Sequence, residues 1–131
     1  ADIDALTDEL LARIPQPDKY MELKVEGSEI HLRYQDIVYA EHFAHLIYVH
    51  TTVQKTLATR QPFKMFIAPL KDDTRFFVCG RGVIVNLEHA KDLEGAAFRM
   101  ADGSRVFVSQ DLLKSARQAF MEFLLQRGRM V

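Results

Sequence analysis

From Tyr20 onward the apolar positions fall on every second residue. Met21, Leu23 and Val25 alternate with Glu22, Lys24 and Glu26, and after a turn at Gly27 and Ser28 the residues Ile30, Leu32 and Tyr34 alternate with His31 and Arg33. A period of two marks strands with one buried face, so the stretch predicts a β-hairpin. Apolar runs at 37–40 and 46–50 follow, separated by the polar and aromatic patch Glu41, His42, Phe43, Ala44 and His45. A further strand at 54–59 closes this strand-rich half. Residues 61–70 change to helical spacing, with Phe63, Phe66, Ile67 and Leu70 on one side and Pro62 in the first turn, which predicts a short helix under the sheet. Strands return at 76–79, 83–86 and 89–93, and strands at 96–100 and 105–108 flank Asp102-Gly103, a tight-hairpin signal.

Helical spacing rules both ends of the chain. Residues 110–127 predict a helix capped by Ser109, with Leu112, Leu113, Ala116, Phe120, Phe123 and Leu124 as its apolar side. At the front, Ile3, Leu6, Leu10, Leu11 and Ile14 make an apolar stripe among acidic residues, and Pro15 and Pro17 halt it. Residues 1–18 therefore read as an amphipathic helix with a Pro-containing linker, and 19–131 as one domain. The predicted class is mostly β, with antiparallel sheets, one short internal helix and helical ends.

Composition narrows the function. The 131 residues suffice for a core without disulfides, and no apolar run approaches the ~20 residues of a membrane span. With no basic-then-apolar leader and a lone Cys79 inside an apolar run, a cytoplasmic location and a buried structural thiol are expected. The net charge is −1 with pI near 6.6, unlike a strongly basic nucleic-acid binder. Its distribution is uneven, however: residues 1–41 carry 10 acids against 4 Lys/Arg, whereas 99–131 carry 6 Lys/Arg against 3 acids. A basic face for a polyanion is compatible with that asymmetry.

Candidate chemistry is sparse. Cys79 lies inside a hydrophobic strand, and neither a Gly-rich phosphate loop nor a paired-carboxylate motif accompanies it, so no catalytic activity is expected. His42, His45 and His50 invite a metal reading, but His42 and His45 would face opposite sides of a regular strand and no carboxylate pattern completes a site. No metal or other cofactor is expected. Asn86 suits a backbone-bonding role at a strand end. The feature that stands out is Gly80-Arg81-Gly82, a tight turn between apolar strands that presents a guanidinium able to fork onto a phosphate or a guanine edge.

The order of these signals is what a family comparison uses. The strand from Asp36 to Glu41, His45 in the following turn, the short helix, Arg75-Phe76-Phe77-Val78-Cys79 followed by Ile84-Val85-Asn86 and His89, then Asp102-Gly103 and Val108-Ser109 before a helix, resemble a LytTR-type DNA-binding domain over roughly 19–120. That resemblance implies stacked antiparallel sheets and a bacterial transcription regulator that inserts loops into successive major grooves of a direct-repeat site. It implies contacts to double-stranded DNA from His42 and His45, from Arg81, and from Ser109, Gln110 and Lys114 at the junction before the last helix. An upstream receiver or sensory domain and a homodimer through the terminal helices fit the same reading. Two departures are visible. Gly80 and Gly82 stand where the family pattern has His-Arg-Ser-like or His-Asn-Ser-like turns, and Gln110 stands where an arginine is common. Together with the near-neutral charge they also fit a LytTR-like interaction or dimerisation module with weak or no DNA binding.

Overall fold

The computed structural model describes residues 19–129, side chains through Arg127; the expected N-terminal helix and linker at 1–18 lie outside that range. Among the described residues, ten strands form three antiparallel sheets. Strands β1 (Tyr20–Val25) and β2 (Ser28–Arg33) make the first, a hairpin whose alternation puts Leu23 and Leu32 inside. Its turn is Glu26–Gly27, both at positive φ, so Ser28 already belongs to the strand.

The central sheet has five strands in the order β5-β4-β3-β7-β6, with β3 Ile37–Phe43, β4 Leu46–Thr51, β5 Thr56–Thr59, β6 Phe76–Gly80 and β7 Val83–Asn86. It is covered on both faces, which explains its consecutive apolar residues. Ile37 and Ala40 enter one core while Val38 enters the other, and Ile84 and Val85 divide the same way. The first core lies against the β1–β2 hairpin and helix α1 (Phe63–Ile67), whose Phe66 and Ile67 are buried with the following Leu70. This helix is shorter than its 61–70 pattern; Pro62 sits at its N-cap and leaves five helical residues. Strand β5 likewise starts at Thr56 rather than Gln54, because Gln54 adopts φ +60 in the turn before it.

The third sheet, β8 (Ala90–Glu94), β9 (Ala97–Met100) and β10 (Arg105–Phe107), covers the second core together with α2 (Leu113–Arg129). His89 ends a 3₁₀ turn rather than starting β8, and its Nε2 lies 2.6 Å from the Gln35 carbonyl oxygen. Gly103 at φ +93 carries the β9–β10 turn, where Asp102 Oδ1 accepts from the Ser104 amide at 2.9 Å. Three features of the last helix differ from the sequence pattern. Residues Gln110–Leu112 form a 3₁₀ turn, and the Ser109 side chain makes no capping bond. Leu124, expected on the apolar side, is 46 % exposed, because the helix turns its Ala116, Phe120 and Phe123 face inward.

Polar ties lock the layers. Asn86 is fully buried, as a strand-end residue that serves the backbone: Nδ2 donates to the carbonyls of Ile37 at 2.9 Å and Tyr34 at 3.1 Å, and Oδ1 accepts from the Glu88 amide. Arg75 is buried too, its Nε 2.9 Å from Asp73 Oδ1 and its guanidinium over the Tyr34 ring. Arg75 is thus a structural cation.

Candidate nucleic-acid interface

Three chain segments meet at one end of the central sheet. The first is the tip of the β3–β4 hairpin, where the paired residues Phe43 and Leu46 are joined by only Ala44 and His45. Both joining residues have positive φ, +51 and +71, the backbone of a type I′ turn. Glycine and asparagine are the residues that adopt this conformation cheaply, so alanine and histidine here hold local strain. His45 has therefore left the strand, and the argument that it opposes His42 across a regular pleat does not apply. His42, Phe43 and His45 are all exposed.

The second segment is the β6–β7 turn. Gly80 pairs with Val83, so Arg81 and Gly82 alone make the connection, and Arg81 is exposed. The two glycines have different physical reasons. Gly82 lies at φ +72, and a Cβ there would come within 3.0 Å of the His42 Cβ, because the His42 amide donates to the Gly82 carbonyl at 2.6 Å. Gly80 lacks a positive φ, but a Cβ on it would collide with the Ser109 hydroxyl. The tight turn is thus a close-approach site on both flanks of Arg81.

The third segment is the junction before α2. The Ser109 amide donates to the Cys79 carbonyl at 2.8 Å, which pins the start of the 3₁₀ turn to β6. Ser109 and Gln110 are exposed. Lys114 is the second residue of α2 and is exposed as well. The backbone thus brings His42 against Gly82 and Ser109 against Gly80, with Arg81 between them in sequence; His45 stands at the neighbouring tip and Lys114 one helical turn beyond.

The nearby acid and histidines have partners. Glu41 lies with its Oε1 3.4 Å from His50 Nε2, while the His50 ring stacks on Tyr39 with centroids 4.1 Å apart. His42 packs its ring at a tilt against Phe63 of α1, 6.4 Å between centroids. Among the described residues no group of three or more His, Cys, Asp or Glu could hold a metal ion. Cys79 is buried, and desolvation pushes its thiol up to about 12, so it stays protonated at neutral pH. One residue of the site escapes a reading based on charge and hydrogen bonding. Phe43 is 71 % exposed beside His42 and His45, an apolar ring on a polar tip. Its only signal in the sequence is an aromatic residue within the patch 41–45.

A family model for the LytTr DNA-binding domain matches residues 28–121. Among solved structures, the LytTr DNA-binding domain of a methyl-accepting/DNA response regulator from Bacillus cereus is similar, with 27% sequence identity and a TM-score of 0.63. The match covers 78% of this chain and 96% of that one. Comparison with curated proteins found no match. Among the described residues no helix is long and apolar enough to cross a membrane.

Proposed function

The chain belongs to the LytTR family of DNA-binding domains, and from that premise we propose that it is the DNA-reading part of a transcription regulator that enters the major groove with loops. The observation that carries this reading is the stitching of three exposed segments into one edge by the His42-to-Gly82 and Ser109-to-Cys79 backbone bonds. A loop reader needs pre-set loops, because ordering each residue on DNA otherwise costs ~1–2 kcal/mol. Arg81 can fork onto guanine O6 and N7, and Gln110 can bond adenine N6 and N7. Ser109 and Lys114 suit phosphate contact at the start of α2, where the helix N-terminus also favours an anion. His42 and His45 line the adjoining loop. Successive grooves of a direct repeat would be met by the β3–β4 tip and by the paired β6–β7 turn and α2 junction. A receiver or sensory domain upstream, a homodimer through the terminal helices and a cytoplasmic location accord with this role.

The test is selection of duplexes from a random pool, followed by fluorescence anisotropy at several salt concentrations. We expect enrichment of a repeated motif, affinity that falls steeply with salt, and a loss of about 1–3 kcal/mol on Arg81→Ala that is concentrated at one guanine position. No enrichment and no binding at low salt, together with stable self-association, would replace this reading with that of an interaction module.

A further inference from the structure

Phe43 exposes 71 % of its surface at an edge otherwise built from polar loops. A lone surface phenylalanine needs no explanation, but the backbone holds this one at a defined place. Phe43 pairs with Leu46 as the last rung before the two-residue turn, and the preceding His42 amide is bonded to the Gly82 carbonyl at 2.6 Å. Strand β3 runs on β7 in the register Tyr39 to Val85, Ala40 to Ile84 and Glu41 to Val83; two residues further on, the same register sets Phe43 level with Arg81. Alternation decides the side. Ala40 faces the first core, and His42 packs on that same side toward Phe63 of α1, so Glu41 and Phe43 face the other. That is the side of the second core, from which the chain emerges at Val108 into Ser109 and Gln110. The Phe43 ring thus shares its side with the junction before α2 and stands level with the Arg81 turn.

We propose that Phe43 reads thymine, its ring resting on the C5-methyl of a thymine next to the guanine held by Arg81. The inference rests on the DNA-reading function proposed above. In the major groove the thymine methyl is the apolar group that a base edge presents, so an exposed aromatic ring set among hydrogen-bonding side chains has that methyl as its match. The spacing agrees. Neighbouring strands lie about 4.8 Å apart and successive bases about 3.4 Å along one strand, so side chains on level positions of β3 and the β6–β7 turn reach adjacent bases. A protein partner fits less well, because a protein interface needs a larger apolar centre than a ring bordered by the exposed His42, His45 and Arg81. Those polar and cationic neighbours suit a polyanion instead.

The test uses the duplex selected by the full chain, with each thymine in turn replaced by deoxyuridine, which removes the methyl and keeps every hydrogen-bonding group. Arg81→Ala locates the guanine, as the position at which its loss of affinity is concentrated. Anisotropy with the wild-type chain should show a loss of about fourfold at the thymine beside that guanine, the equivalent of one buried methyl. Phe43→Ala should bind the thymine and deoxyuridine duplexes equally, and Phe43→Tyr, which keeps the ring, should keep the preference. Both variants should unfold at the wild-type temperature, since the ring is exposed, and that measurement separates a lost contact from a lost fold. Equal wild-type affinity for the two duplexes would overturn the proposal while leaving the DNA-reading function standing. So would a preference that survives Phe43→Ala, or a selected motif with no thymine beside that guanine. Absence of any bound duplex would remove both.

Discussion

The hairpin tip of the interface predicts effects of opposite sign on stability and on binding. Replacing Ala44-His45 with Asn-Gly puts the preferred type I′ pair at φ +51 and +71. A left-handed conformation costs a non-glycine residue roughly 1–2 kcal/mol, so relief at two positions amounts to about 2 kcal/mol before correction. The new glycine gives back about 0.4–1 kcal/mol through a more disordered unfolded chain. The expected net gain is about 1 kcal/mol, a rise in Tm of roughly 4 °C for a domain of this size. Binding should move the other way, since the variant lacks the His45 imidazole: a lost base contact is worth about 1–3 kcal/mol, or about 5- to 150-fold in Kd. Thermal unfolding and anisotropy on a selected duplex read the two quantities separately. Glu26→Asn relieves the matching φ of +51 in the β1–β2 turn and alters no candidate contact, so it should stabilise without changing affinity. An unchanged or lowered Tm would refute the strain argument. Unchanged affinity alongside a raised Tm would remove His45 from the interface.

Two further outcomes follow from buried groups. Asn86→Ala strips partners from the Tyr34 and Ile37 carbonyls and the Glu88 amide, and should cost about 3 kcal/mol in denaturant-measured stability; a loss below ~1 kcal/mol would mean water or a shifted backbone replaces them. Cys79 titrates high in the folded chain, at about 12, and lower when unfolded, so its contribution is complete at neutral pH and falls away as pH rises from ~9 through 12. The wild-type chain should therefore lose roughly 3 kcal/mol relative to Cys79→Ala across that window, and its thiol should resist aromatic disulfide reagents at pH 8 until the protein unfolds; parallel stability curves for the two proteins would contradict the burial argument.

Much of this fold is legible as pattern. Period-two alternation located the β1–β2 hairpin, the apolar runs at 37–40 and 83–86 marked strands, and Asp102-Gly103 marked its hairpin. These are local preferences of the backbone and of water, and a linear chain displays them directly. Boundaries were less legible, since a neighbour decides where an element stops: Gln54 turns away before β5, and the 61–70 pattern leaves a helix of five residues.

The candidate site divides along the same line. Arg81 between two glycines marked a presented cation, and the order of signals around it pointed to the family whose model matches 28–121. Only the tertiary structure decided that Gly82 is required by His42 and Gly80 by Ser109, and that an Ala-His pair bends through a turn made for Asn-Gly. Only it separated the two faces of the last helix, so that Leu124 joins Met121 and Leu125 outside rather than Phe123 inside. Residue type and spacing record what each stretch prefers by itself, whereas close approach between segments distant in sequence depends on how the layers stack, and no local preference encodes that distance.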